Sequence, residues 1–132
     1  MADWVRRLEA PNFRIEPYVD QWSVLAASTV FITHQGLNST HEAVFQEIPM
    51  VSYPFFGDQP SMAQCCQNMG LAIPLTREVR GKVSADDVRS ALSKVDDQRN
   101  AMLERLSEAR QWELDVIARR GDVIRRIMDL VP

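Results

Sequence analysis

The segment Ile32-Thr33-His34-Gln35-Gly36-Leu37-Asn38-Ser39-Thr40-His41-Glu42, followed by Pro49-Met50-Val51-Ser52-Tyr53-Pro54 and then Gly57-Asp58-Gln59, narrows the folds open to this chain more than anything else in it. A short β-branched run stops at polar residues and a glycine, a helical stretch follows, and a second short apolar run gives way to an acidic turn. Runs this brief, separated by helices, fit strands of a parallel sheet covered on both faces. The intervening helical stretches are long enough to be crossover connections. The pattern predicts strands over 13–18, 29–33 and 50–53, a weaker fourth over 72–74, and linking helices over 21–27 and 38–46.

Beyond Asp58 the pattern turns helical. Pro60 sits where a first-turn proline is tolerated, and Met62, Ala63, Cys66 and Met69 share one helical face before Gly70 stops it. Residues 81–84 read as a turn, with Ser84 or Asp86 capping a helix whose Val88, Leu92 and Val95 keep helical spacing. The pair Asp96-Asp97 is expected to break that helix. A long Arg/Glu-rich helix then runs from about 98 to 120, and Gly121-Asp122 restarts a last one carrying Val123, Ile124, Ile127, Met128 and Val131 on one side. The expected fold class is α/β: a partial Rossmann-like three-layer domain, with a short parallel sheet of three or four strands flanked by helices and a helical tail. The chain reads as a single domain over 1–132, its core at 12–95 and its tail at 98–131.

A chain of 132 residues can bury a sizeable core, and a 45% hydrophobic, 25% charged composition is ordinary for a globular domain. The net charge of −3, with basic residues interspersed among acidic ones, argues against nucleic acid as a partner. No apolar run approaches the roughly 20 residues that span a bilayer. The start, with Asp3, Arg6 and Arg7 around Trp4, lacks the apolar centre of a signal peptide. Cys65 and Cys66 are adjacent, so they cannot staple distant segments and have no partner at metal-ligand spacing. A soluble cytoplasmic protein with reduced thiols, one of them in the core, is the expectation. Trp4, Trp22 and Trp112 read as packing residues.

Where a strand hands over to a helix at the carboxyl edge of an open α/β sheet, ligands bind. His34 would emerge there, Gly36 would let backbone approach a ligand, and Asn38, Ser39 and Thr40 would open a helix. The first N–H groups of such a helix and its partial positive charge favour a diphosphate. His34 adds an N–H donor, or a positive charge if protonated. The same residues also satisfy a purely structural pattern: Ser39-Thr40-His41-Glu42 matches a capping box, which needs no ligand. Asp58-Gln59 lies at the same edge after the next strand, where an exposed carboxylate and amide together could grip vicinal hydroxyls of a sugar. Here too the alternative is a simple cap of the next helix. His34, His41 and Glu42 do not form the helical His-Glu-x-x-His of a zinc protease, and the Gly-x-Ser-x-Gly elbow of a hydrolase is absent.

Taken in order, Tyr18, Gln21, His34, Gly36, Asn38, Ser39, Glu42, Pro49, Met50, Asp58 and Gln59 resemble the signature of the UDP-dependent glycosyltransferases of the GT-B fold. This is the family of the plant, macrolide and animal UDP-glycosyltransferases. The resemblance is dense over 12–75 and loose in the helical tail. It implies that Tyr18 stacks on uracil, that Gln21 contacts the base largely through backbone, and that Glu42 binds the ribose hydroxyls. It further implies that His34, Gly36, Asn38 and Ser39 hold the diphosphate, and that Asp58 and Gln59 bind the transferred sugar, with a lean towards glucose. Two positions depart from the family pattern: Asp20 stands where proline is usual, and Glu47 stands where glycine is usual before Ile48-Pro49. If Glu47 must adopt the left-handed conformation, the strain is about 1 kcal/mol.

The resemblance also marks what the chain lacks. It covers only the later part of the donor-binding half, whereas the family's catalytic base, a His paired with an acidic residue, belongs to the other half. The implied function is the UDP-sugar binding domain of an inverting glycosyltransferase that transfers a hexose to an acceptor hydroxyl. No catalytic base is expected in this chain, no metal is required, and a missing half, a partner chain or self-association would complete the acceptor site. The alternative is a non-catalytic module that keeps the fold as a nucleotide-binding or protein-interaction unit, with its open sheet edge covered by association.

Overall fold

The computed structural model of the chain describes residues 12–76 and 78–129. Seven elements follow in order: α1 (Gln21–Ala26), β1 (Phe31–Thr33), α2 (Leu37–Phe45), β2 (Met50–Ser52), α3 (Gln59–Asn68), β3 (Ala72–Pro74) and α4 (Ala85–Met128). The strands form one parallel sheet in the order β1-β2-β3. Phe31 stands opposite Met50 and Met50 opposite Ala72, so the carboxyl ends of all three strands lie at one edge. All three are fully parallel with helical crossovers, as the strand-helix alternation predicts.

Alternation along each strand divides the core in two. On one face Met50 and Ala72 join Ala43 and Val44 of α2, Cys66 of α3, and Leu106 of α4. On the other, Val51 and Ile73 join Ala91, Val95 and Met102 of α4. The sheet is thus the middle of three layers, and α4 covers one face before Leu106 reaches the opposite cluster. Burying a side chain such as Val51 or Leu106 contributes roughly 1.5–3 kcal/mol. Cross-links at the surface hold α4 in register: Arg99 donates to the Thr29 carbonyl at 3.0 Å, and Arg110 pairs with Glu47 at 3.1 Å.

Helix α4 departs from the expected segmentation. It runs unbroken through Asp96-Asp97 and through Gly121-Asp122. Two aspartates in a helix interior cost well under 1 kcal/mol each. Val95 and Met102, both buried on the same face, outweigh that, and Asp96 is tied to Arg99 one turn on. The boundary expected between a core ending at 95 and a tail starting at 98 therefore falls inside one helix, with Met102 and Leu106 in the core. Past Ala109 the apolar face continues without cover: Val123, Ile124, Ile127 and Met128 are exposed, and so is Trp112 at 67%. Trp112 is thus not a packing residue, and Trp22 is only half covered, with its ring 6.3 Å from that of Phe45. Trp4 lies outside the described residues.

The other strand expectations hold with trimmed ends, except the first. Residues 13–18 form no strand: Phe13 makes an isolated bridge and the segment is largely exposed, so it lacks the cover that a buried parallel strand needs. The fourth expected strand, over 72–74, is β3. Met69 caps α3 and is exposed, leaving Ala63 and Cys66 as the buried members of the expected apolar face.

Both crossover helices end in the same hydrogen-bonded device. At the end of α3, Gly70 N–H donates to Gln67 and Leu71 N–H to Cys66, with Gly70 at φ +74°. At the end of α2, Glu47 N–H donates to Val44 and Ile48 N–H to Ala43, with Glu47 at φ +55°. These are Schellman closures, whose left-handed position favours glycine. Glu47 does adopt the strained conformation its sequence context suggests.

Candidate functional site

The connection from β1 to α2 is built around a residue that the sequence reading passed over. Gln35 has no exposed surface and a left-handed backbone at φ +65°. Its Oε1 accepts from Ser52 Oγ at 2.8 Å, and its Nε2 faces Thr40 Oγ1 at 3.1 Å, Met50 Sδ at 3.2 Å and Cys66 Sγ at 3.3 Å. Its own N–H donates to Thr33 Oγ1 at 3.2 Å. One residue thereby ties β2, α2 and α3 together through its side chain, and β1 through its backbone N–H, next to His34 and Gly36. The only signal in the sequence is a polar residue between a strand end and a glycine, which a solvent-facing loop residue would also give.

His34 is exposed at the carboxyl edge, next to this hub. Gly36 is required by its neighbour rather than by its backbone, which has an ordinary φ of −68°. A Cβ built there would lie 2.5 Å from His34 Nε2, so the absence of a side chain gives the imidazole its place. Gly36 is also the N-cap of α2, without a side-chain cap. The first intrahelical bond runs from Thr40 N–H to the Gly36 carbonyl at 2.9 Å. The N–H groups of Leu37, Asn38 and Ser39 precede it and have no carbonyl within the helix to bond. The Ser39-Glu42 capping box is not formed, because the helix starts earlier, at Leu37.

Instead Ser39 and Glu42 share a partner across the helix pair. Gln21 Nε2 donates to Ser39 Oγ at 3.2 Å and to Glu42 Oε2 at 2.8 Å. This locks α1 to α2 and leaves Glu42 one carboxylate oxygen uncommitted by that bond. Tyr18, just before α1, is 85% exposed. His41 lies within α2, as expected, and its Nδ1 meets Glu113 Oε1 of α4 at 2.6 Å.

The acidic turn after β2 is less open than its sequence suggests. Gln59 begins α3 and is only 7% exposed; its Oε1 accepts from the Phe55 N–H at 2.9 Å and from the Phe56 N–H at 3.2 Å. The expectation of an exposed Asp-Gln pair is thus right for Asp58 alone. Two N–H donors fix the amide's orientation, and among the described residues its Nε2 finds no partner. Asp58 is exposed at the N-cap of α3, with no side-chain cap bond. Gly57, at φ +65°, makes the preceding turn.

His34 and Asp58 follow neighbouring parallel strands and so leave the same sheet edge. Two clefts are lined by other residues. One of about 250 Å³ is lined by Pro54, Pro60, Gln67, Thr76 and Glu78, between the connections after β2 and β3. Another of about 610 Å³ is lined by Arg14, Glu16, Tyr18 and Asp20. Neither is lined by His34, Asn38 or Asp58.

Among the described residues no group of three His, Cys, Asp or Glu side chains could hold a metal ion. Cys66, packed under Gln35, has its thiol pushed up to about 11, chiefly by burial, and further by Cys65; the Gln35 bond pulls the other way. Among the described residues no helix is long and apolar enough to cross a membrane.

Comparison with known proteins agrees with the signature. The family model described as UDP-glucoronosyl and UDP-glucosyl transferase matches residues 7–111. An uncharacterized UDP-glucosyltransferase, YdhE, of Bacillus subtilis strain 168 is 32% identical over 98% of the chain, which spans 32% of that protein. UDP-glucuronosyltransferase 3A1 of Mus musculus is 44% identical over 50% of the chain, which spans 13% of it. Among solved structures, the glycotransferase of kitacinnamycin superposes with a TM-score of 0.74 at 30% identity, covering 92% of this chain and 33% of its own. Os79 from O. sativa, solved in complex with UDP, gives 0.66 at 25% identity over 71% of this chain and 22% of its own.

Proposed function

Because the chain belongs to the UDP-glucoronosyl and UDP-glucosyl transferase family, we propose that it is the UDP-sugar binding portion of an inverting hexosyltransferase. The observation that carries this reading is the shared carboxyl edge of β1 and β2, from which both the His34-Gly36 connection and the Asp58-Gln59 turn depart. The free N–H groups at the start of α2, its partial positive end and the His34 imidazole suit a diphosphate. Asn38 and Ser39 add short polar side chains beside those groups. Tyr18 and Gln21 receive the uracil and Glu42 the ribose. At the acidic turn, Asp58 accepts from sugar hydroxyls and the Gln59 Nε2 donates to one, since its oxygen is committed to backbone.

In the reaction, a base deprotonates an acceptor hydroxyl, whose oxygen attacks the anomeric carbon while the bond to UDP breaks. The α2 end and His34 stabilise the charge that gathers on the departing diphosphate. The base and the acceptor site belong to a segment or partner beyond this one, which spans a third or less of the relatives it matches. Among the described residues no strand pairs with the outer edge of β1, which favours completion by further strands. Free Cys65 and Cys66 accord with a reducing, cytoplasmic setting. The transferred hexose is taken as glucose.

Calorimetric titration of the purified chain with UDP and with UDP-glucose tests this. Saturable binding is expected, weakened about tenfold or more in a His34→Ala variant that melts normally, as loss of a hydrogen bond to a charged group implies. Absence of saturable binding in the folded wild type rejects the donor site.

A further inference from the structure

Resting on the reading that Asp58 and Gln59 meet the donor sugar, we propose that Arg80 and Tyr53 are positioning residues for that turn. They clasp the connection after β3 to the connection after β2. Arg80 Nε donates to the Phe55 carbonyl at 2.6 Å, and the Tyr53 hydroxyl donates to the Gly81 carbonyl at 2.8 Å. The Tyr53 ring meets the Phe55 ring edge-on at 4.9 Å.

The peptide unit between Phe55 and Phe56 is therefore held from two directions. Its carbonyl is taken by Arg80 and its N–H by Gln59. Burial does not hold this turn: Phe55, Phe56, Gly57 and Asp58 are all exposed, and a Cβ at Gly57 would meet nothing within 4 Å. The Asp58 carboxylate has no cap bond of its own, so the path of the turn decides where it stands. Arg80 itself has φ +58°, a left-handed conformation that a non-glycine residue rarely adopts. A charged donor to a carbonyl is among the stronger single hydrogen bonds available to fix such a loop. Among the described residues the Arg80 and Tyr53 side chains make no hydrogen bond to the His34 connection; only the Tyr53 backbone N–H reaches it, donating to the Thr33 carbonyl at 2.8 Å, so the side-chain clasp acts on the sugar's end of the donor.

The test uses the full chain and compares the dissociation constants of UDP and UDP-glucose by calorimetry. The wild type is expected to bind UDP-glucose more tightly than UDP. Arg80→Ala should shrink that preference about fivefold while leaving UDP affinity within about twofold, the scale of one lost hydrogen bond. Arg80→Lys, which keeps a cationic donor, should recover part of it, and Tyr53→Phe should move it in the same direction as Arg80→Ala. Arg80→Gly removes the side chain but keeps the left-handed backbone at ease, so it reports the clasp even if the alanine variant folds poorly.

An unchanged preference in Arg80→Gly and Arg80→Ala overturns the inference. So does an equal loss of both ligands, which would make Arg80 a general support of the domain. A wild type that binds UDP without preferring UDP-glucose overturns it too, but leaves the nucleotide site standing. A wild type that binds neither removes the proposed function, and this inference with it.

Discussion

Glu47 carries the left-handed closure of α2 that Gly70 carries for α3, and the same two backbone bonds surround each. The comparison within one molecule isolates the cost of a side chain at that position. Replacing Glu47 by Gly removes strain of about 1 kcal/mol, against the loss of a partly exposed Arg110 pair contributing about 0–1 kcal/mol. Chemical denaturation of Glu47→Gly in an Arg110→Ala background is expected to show the gain of about 1 kcal/mol undiluted. A loss of stability there would mean that Glu47 holds something besides the ion pair. Gln35 presents the opposite case. Gln35→Ala leaves Ser52 and Thr40 without their buried partner and opens a void, a loss expected at about 3 kcal/mol. The thiols beneath offer a simpler check. Cys66 is buried, with its thiol raised from 9.0 to about 11, while Cys65 is exposed. At pH 8 a thiol reagent should modify one cysteine in the native chain and both in denaturant; two fast equivalents in the native chain would contradict that packing.

Among the elements, α4 begins with a complete capping box: Ser84 accepts from the Asp87 N–H, and the Asp87 carboxylate accepts from the Ser84 N–H and hydroxyl. Those bonds hold the Asp87 carboxyl below its ordinary value, the Ser84 hydroxyl contributing most. A depressed carboxyl stabilises the folded form above its unfolded value, near pH 4, and that contribution is lost as pH falls through the lower folded value. Protection of the Ser84 and Asp87 amides, measured against the exchange of an unstructured peptide at the same pH, should therefore fall below about pH 4, and Asp87→Asn should abolish that fall. Ser84 was legible as one of two candidate caps, with Asp86, because capping is local chemistry, whereas its pairing with Asp87 was not. Legible too were β1, β2 and β3, whose short apolar runs between helical stretches fit strands of a parallel sheet. The false break at Asp96-Asp97 and the false strand over 13–18 share one cause. Both depend on what packs against the segment, which a local pattern does not contain. At the site, His34, Gly36 and Asp58 were legible as residues at a strand-to-helix handover. The Gln35 hub, the Gln21 bridge and the Arg80 clasp were not, because each joins residues distant in sequence through a side chain of unremarkable type.

At the scale of the whole molecule, α4 divides by what it buries. Ala91, Val95, Met102 and Leu106 belong to the two cores, while the helix beyond Gln111 leaves Trp112, Val116, Ile117, Val123, Ile124, Ile127 and Met128 exposed. At 100° per residue, Trp112, Val116, Val123 and Ile127 continue the face of Met102 and Ala109, so one apolar stripe is half covered and half bare. A chain ending at Gln111 should therefore keep its cooperative fold. It gives up the His41-Glu113 pair, which is partly exposed and contributes about 1 kcal/mol or less, a shift of a few degrees in melting temperature. A chain ending at Asp97 should not fold. It loses Met102 and Leu106, each a deletion of about 2–5 kcal/mol, against a total stability of about 5–15 kcal/mol. Circular dichroism melts of the two truncations decide the matter. Loss of the cooperative transition in the longer one would show that the bare half of α4 supports the domain, and survival of the shorter one would show that the sheet needs only the first turns of this helix.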